Sequence, residues 1–180
     1  MKNSSKSIAI IENATTADIA AITAIYAEAV KFGNASFEWQ APDEAEMRRR
    51  FHTLVDNNFP YFVARVDKAV AGYAYAGPYR SRIGYQWTVE NTVYVNPDFQ
   101  KLKLGSMLLE RIIQECVDKN FRQMIAVIGD STNLGSIRLH EKFGFTHVGT
   151  LTDVGRKHET WLDSIIMQKQ LGLGSSQPPA

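Results

Sequence analysis

The sequence predicts a mixed α/β (α+β) fold, with one central sheet flanked by helices. Three observations carry that prediction. Stretches with apolar residues at helical spacing alternate with short β-rich stretches. Gly, Pro, Asn and Asp fall at the boundaries between them. The resulting order is strand, two helices, about three strands, helix, strand, helix and two strands.

Residues 8–11 read as a first short strand. Thr15 is placed to cap a helix whose apolar stripe runs through Ala17, Ile19, Ala20, Ile22, Ile25, Tyr26 and Ala29. Residues 31–40 form a loop carrying Phe32, Phe37 and Trp39. Pro42 suits the first turn of a second helix, Glu44 and Glu46 follow where the helix dipole favours acids, and the helix reaches about Val55. Residues 61–66 and 70–76 predict two strands joined at Asp67-Lys68, and Gly77-Pro78 is expected to break the second. The loop 79–85 holds Arg80 and Arg82. Residues 87–95 predict the next strand, ended by Asn96-Pro97. Residues 104–117 give the clearest helix, with Leu104, Met107, Leu108, Ile112 and Cys116 on one face. Residues 121–128 carry an apolar run suited to a sheet interior. A short helix over 133–143 closes at Gly144, where a left-handed cap is expected, and residues 145–151 and 164–170 are the last strands. The chain reads as one domain, 1–171, with a Gly-, Ser- and Pro-rich end, 172–180, expected to be disordered.

Composition narrows the function classes. Twenty basic and 19 acidic side chains leave a net charge of +1, without the basic excess of a polyanion binder. The run Arg48-Arg49-Arg50 reads as a solvated helix face. The one cysteine, Cys116, permits no internal disulfide and sits at an apolar helical position. No stretch approaches ~18 continuous apolar residues, and the N-terminus lacks the apolar run of a signal peptide. The expectation is a cytoplasmic protein that engages neither nucleic acid nor membrane. His52, His147 and His158 show no metal-ligand spacing, and no metal is expected.

Residues 94–106 join a strand to a helix. A helix N-terminus offers unpaired N–H groups and partial positive charge, and successive loop amides can form an anion nest. Lys101 and Lys103 add charge, so the loop can grip a pyrophosphate or be an ordinary connection. It lacks the Gly-Lys-Ser/Thr ending of a P-loop, which disfavours a nucleotide-binding protein. The stretch resembles the pyrophosphate loop of the GNAT superfamily of N-acetyltransferases. Gln100 and Gly105 match the pattern, whereas Lys103 stands where the family usually has its first glycine. A left-handed backbone there would cost Lys103 on the order of 1 kcal/mol relative to glycine.

More of the chain resembles one branch, the phosphinothricin N-acetyltransferases and their methionine sulfone/sulfoximine-acetylating relatives. Matching pieces include Ala35-Ser36-Phe37-Glu38, Gly72-Tyr73-Ala74-Tyr75-Ala76-Gly77-Pro78, Thr88-Val89-Glu90-Asn91-Thr92-Val93-Tyr94-Val95, Ser136-Ile137-Arg138-Leu139-His140 and Gly155-Arg156-Lys157-His158. The resemblance implies the GNAT fold, a mixed sheet whose parallel strands over 87–95 and 121–128 splay apart. It implies acetyl-CoA in the gap, its arm along Val93, Tyr94 and Val95 and its diphosphate held around Gln100, Lys101, Leu102, Lys103, Leu104, Gly105 and Ser106, with Asn133 contacting pantetheine. It also implies a homodimer.

Acetyl transfer to an amine must deprotonate an ammonium of pKa near ~10.4, stabilise charge on the thioester oxygen and release a thiolate. Glu90 reads from sequence alone as a surface carboxylate; the resemblance makes it the general base, sharper if desolvated. The N–H of Val93 or Tyr94 is expected to polarise the carbonyl. His140 occupies a helix position where many GNAT enzymes carry tyrosine, and is the candidate near the sulfur. Arg80 and Arg82, with Ser81 between them, are either solvated or a clamp for an acid group. Phe37, Tyr85 and Trp87 are candidate pocket walls, the alternative being core packing. The leading expectation is an acetyl-CoA-dependent N-acetyltransferase of small, anionic, amino-acid-like substrates. Acetylation of a peptide or protein N-terminus, and a non-catalytic acetyl-CoA-binding module, are the alternatives.

Overall fold

The computed structural model describes residues 8–99 and 101–178. Seven strands form one sheet: β1 (Ala9–Asn13), β2 (Tyr61–Val66), β3 (Ala69–Pro78), β4 (Thr88–Val95), β5 (Gln123–Gly129), β6 (Thr146–Lys157) and β7 (Thr160–Gln170). Their order is β1-β2-β3-β4-β5-β7-β6. Among these neighbours β4 and β5 pair parallel, and the others pair antiparallel. Helices α1 (Ile19–Phe32), α2 (Glu44–Val55), α3 (Leu104–Asp118) and α4 (Leu134–Lys142) cover the two faces. This is the mixed α/β arrangement expected from the sequence.

Strand alternation divides the apolar residues into two cores. On one face Phe62, Ala74, Val89, Met124 and Ile128 pack with Leu104, Leu108 and Ile112 of α3, and Ile137 and Leu139 of α4 lie against them. On the other, Ile19, Ile22 and Ile25 of α1 and Met47 and Phe51 of α2 pack with Tyr61, Val63 and Tyr73. Tyr26 and Tyr94 border this second core, their rings edge-to-face at 5.3 Å. The alternation matters later, because neighbouring residues of β4 serve different faces.

Several boundaries differ from the sequence reading, each for a local reason. Thr15 leads into a short 3-10 turn, Thr16–Asp18, before α1 begins. Pro42 lies outside α2: Asp43 is the cap, its carboxylate accepting from the Glu46 N–H at 2.8 Å. Gly77 and Pro78 do not break β3, but pair with Glu90 and Val89. The Tyr79 N–H donates to Thr88 O on the β4 side, while the Ala76 N–H donates to Pro60 O on the β2 side. Position 78 therefore faces the β2 side, where β2 has already ended, and the missing proline N–H costs the ladder nothing. The last hairpin is longer than expected. β6 is an edge strand whose outer half is mostly exposed and polar, with a register shift between Leu151 and Gly155, so its period-2 signal fails after Leu151. Gly144 has the expected left-handed conformation, with φ of 79°.

Residues 172–178, where composition predicts disorder, leave β7 in hydrogen-bonded turns: the Gly174 N–H donates to Leu171 O and the Ser176 N–H to Leu173 O. The buried Leu171 holds the start of this segment to the core. Residues 179–180 lie outside the described residues.

Candidate active site

β4 and β5 are zipped only at their beginnings, through Thr88↔Gln123, Val89↔Met124 and Glu90↔Ile125. Beyond Glu90, β4 stays with β3 as far as Val95↔Gly72, and β5 stays with β7 as far as Gly129↔Ser164. The two strands therefore part, and a cavity of about 950 Å³ fills the gap between them. Hydrogen-bond parity identifies the groups on its β4 wall. Thr88 and Asn96 bond to β3, so positions of the same parity, including Tyr94, also turn to β3. The N–H groups of Asn91, Val93 and Val95 face the gap. Of the two amides expected to meet a thioester, Val93 has the orientation and Tyr94 does not.

The loop after β4 turns through Pro97–Phe99 and enters α3. Lys101 and Lys103 are both left-handed, with φ of 67° and 61°. Lys103 thus adopts the conformation for which glycine is the usual choice at this point. It is also the cap residue of α3, without a side-chain cap bond among the described residues, so the first α3 amides are oriented to meet an anion. Lys103, Leu104, Gly105 and Ser106 line the cavity, as does Lys101. Leu102 does not; it is half-exposed. Gln100 lies outside the described residues. From α4, Arg138 and Lys142 reach the same cavity, and Lys142 Nζ donates to Ser106 Oγ at 3.3 Å. Sequence reasoning gave these two cations no role, although a spacing of four on a helix puts them on one face. Asn133 lines the cavity and caps α4, its side-chain oxygen accepting from the Ser136 N–H at 3.2 Å.

Glu90 stands where the strands part and is partly buried. Burial pushes its carboxyl above the ordinary glutamate value, and the Arg80 guanidinium opposes that shift. Tyr75, also on the cavity wall, lies on the same face.

Asn91, one residue on, points to the α4 side and meets His140. His140 is buried and packs edge-to-face on Phe145 at 4.9 Å. Its Nδ1 is 2.8 Å from Ser136 O and its Nε2 is 2.9 Å from Asn91 Nδ2. A carbonyl only accepts, so Nδ1 carries the ring proton, and Nε2 accepts from the Asn91 amide. Burial lowers the His140 pKa, with the Ser136 carbonyl opposing. Burial thus favours the neutral imidazole, and with Nδ1 protonated toward the backbone the Asn91 amide meets Nε2 while its own Oδ1 is buried without a partner among the described residues. Donation to a leaving sulfur would use Nε2–H, in the other tautomer or the imidazolium. Asn91 went unassigned in the sequence because its contribution is a contact to a residue 49 positions away.

Phe37 lines the cavity. Arg80, Ser81, Arg82 and Tyr85 lie on the exposed loop between β3 and β4, outside the cavity lining. The Arg80 guanidinium sits 4.8 Å from the Tyr79 ring centroid, and Tyr79 packs edge-on against Tyr85 at 5.7 Å. Among the described residues, no group of three His, Cys, Asp or Glu side chains is placed to hold a metal ion.

The parted strands and the bare helix start match a known family. The sequence profile of the acetyltransferase (GNAT) family covers residues 22–145. The chain belongs to that family. It is accordingly an enzyme of the acyltransferase class. It is 44% identical over 162 residues to the phosphinothricin N-acetyltransferase of Alcaligenes faecalis, covering 90% of this chain and 82% of that protein. It is 38% identical over 161 residues to the L-methionine sulfoximine/L-methionine sulfone acetyltransferase of Salmonella typhimurium, covering 89% and 94%. A GNAT superfamily phosphinothricin acetyltransferase from Sinorhizobium meliloti, solved in complex with acetyl-CoA, matches with a TM-score of 0.93 at 41% identity, over 96% of this chain and 93% of that one.

Proposed function

We propose that this chain transfers the acetyl group of acetyl-CoA to the amino group of a small, anionic, amino-acid-like substrate such as phosphinothricin, methionine sulfoximine or methionine sulfone. The observation that carries this reading is the parting of β4 and β5 at a half-buried Glu90.

The residues present fit acetyl-CoA. The α3 amides with Lys101, Lys103 and Lys142 suit a diphosphate, and the free edge of β4 suits an arm that carries amides. Bound there, acetyl-CoA supplies an acetyl thioester, an acyl group with a good leaving thiolate. The Val93 N–H, turned into the gap, stabilises negative charge at the carbonyl oxygen. Glu90 removes the proton of the ammonium, directly or through a water molecule. Its raised pKa makes it a stronger base than an exposed glutamate, while it stays ionised above that pKa. Asn91 and His140 hold the opposite side of β4 in place near the sulfur. Arg80, whose charge acts on Glu90, and Arg82 on the same loop take the substrate's acid group when the 79–85 loop meets it.

We place this activity in the cytoplasm, in keeping with a lone buried cysteine, and on a homodimer. The edge strand β6 leaves Val148, Leu151 and Val154 about half exposed, and Trp161 of β7 is similar, a surface suited to a second copy. Sedimentation equilibrium should return twice the 20.2 kDa chain mass; a single-chain mass removes the dimer.

Thiol release with acetyl-CoA and each of the three named amines tests the activity. Glu90→Gln should lower kcat/KM by about 10²–10⁴-fold near neutral pH. The deficit should narrow at high pH, where more free amine is present. The wild-type rate should rise with pH through the raised Glu90 pKa, since only the carboxylate accepts a proton. A wild-type profile in the variant refutes the base. Arg80→Ala and Arg82→Ala should mainly raise the amine KM, and unchanged kinetics in both remove the clamp.

A further inference from the structure

The motif Gly155-Arg156-Lys157-His158 takes no part in the chemistry above, yet its lysine is among the most buried charged residues described. Lys157, the last residue of β6, is 3% exposed. Its ammonium donates to Gly33 O at 2.8 Å and to Ser36 O at 2.7 Å, across more than 120 residues of sequence. Burial pushes its pKa below the ordinary lysine value, and Glu38 opposes the shift. A cation withdrawn from water needs such partners. The acceptors are backbone carbonyls just past the end of α1, where no helix or strand supplies donors for them.

The same stretch is seated by close packing. A Cβ on Gly155 would lie 2.3 Å from the Phe37 ring, and one on Gly129 would lie 2.5 Å from Asn34 O. Only glycine admits the loop so near to β5 and β6. Asn34 Nδ2 donates to Asp130 Oδ2 at 3.0 Å, and the Tyr26 hydroxyl pairs with Ser36 Oγ at 2.8 Å. Ala35, Ser36 and Phe37 then line the cavity that Glu90 lines. They stand with Tyr26 and Tyr94, on the Glu90 face of β4, whereas α3 and α4 with their cations lie on the other face.

We propose that Lys157 is a positioning residue for the amine: by tying the carbonyls of Gly33 and Ser36 to the end of β6, it fixes Ser36 and Phe37 as the acceptor wall and sets affinity for the amine rather than for acetyl-CoA. This rests on the acetyl-transfer reading. A lysine suits the task because a compact ammonium with three donors reaches two carbonyls on one short curve of chain, which a planar guanidinium fits poorly.

Steady-state kinetics of Lys157→Met, Lys157→Gln and Gly155→Ala test it, the last displacing Phe37 without touching the ammonium. Lys157→Met should raise the amine KM at least about tenfold while the acetyl-CoA KM stays within about twofold. Lys157→Gln, which keeps two N–H donors, should recover part of that rise, and Gly155→Ala should raise the amine KM alone. Amide hydrogen exchange without substrates should quicken at residues 34–38 in Lys157→Met. An unchanged amine KM, or an equal rise in both KM values, overturns the inference. If Lys157→Met does not fold, Lys157→Gln and Gly155→Ala decide it by the same split. A wild-type chain that turns over none of the amines defeats the functional reading instead; hydrogen exchange at residues 34–38 then still judges the anchor.

Discussion

A strand edge inside a protein must find hydrogen-bond partners, and β4 is left without them. Past Glu90 its inner edge has no neighbour on β5, and the N–H groups of Asn91, Val93 and Val95 face a cavity instead. Exposed sheet edges are templates for another extended chain. Here the template is short, walled and set beside the bare start of a helix. An arm with its own amide groups and an anionic head satisfies both demands together. The binding site is thus a consequence of how the sheet is put together: β4 follows β3, β5 follows β7, and the two pairs diverge.

The alternation of β4 then separates the tasks. Residues facing α3 and α4 (Val89, Asn91, Val93, Val95) meet the core and His140. Residues facing α1 and α2 (Glu90, Thr92, Tyr94) meet the tyrosines and the loop that carries Phe37. Because the strands have parted, both faces open into one space. In the proposed reaction a base on one side serves an amine while the other side holds the cofactor. Burial favours the neutral state of His140 against the pull of the Ser136 carbonyl, and in that state the ring accepts from Asn91.

Much of this was legible in the sequence, for physical reasons. Long amphipathic helices and buried strands repeat a pattern many times, so α3 and β5 were readable within a few residues. The residues of β4 and the α3 start that line the cavity were readable because they fall close together in the chain, within a recognisable motif. What was hidden depends on contacts distant in sequence. The Asn91 contact to His140 and the Lys157 contacts to Gly33 and Ser36 have no local signature. The outer half of β6 was missed because an edge strand in water need not alternate. The proposed arginine clamp rests on residue type alone; the loop holding Arg80 and Arg82 lies outside the cavity lining.

The central claim is that acetyl-CoA enters the gap between β4 and β5. Backbone hydrogen exchange, followed with and without acetyl-CoA, tests it most directly. The account predicts slowed exchange at Val93, Val95 and the first α3 amides, residues 104–106, with little change along the β1–β2 pair. Binding that leaves those amides as fast as in the free protein would contradict it.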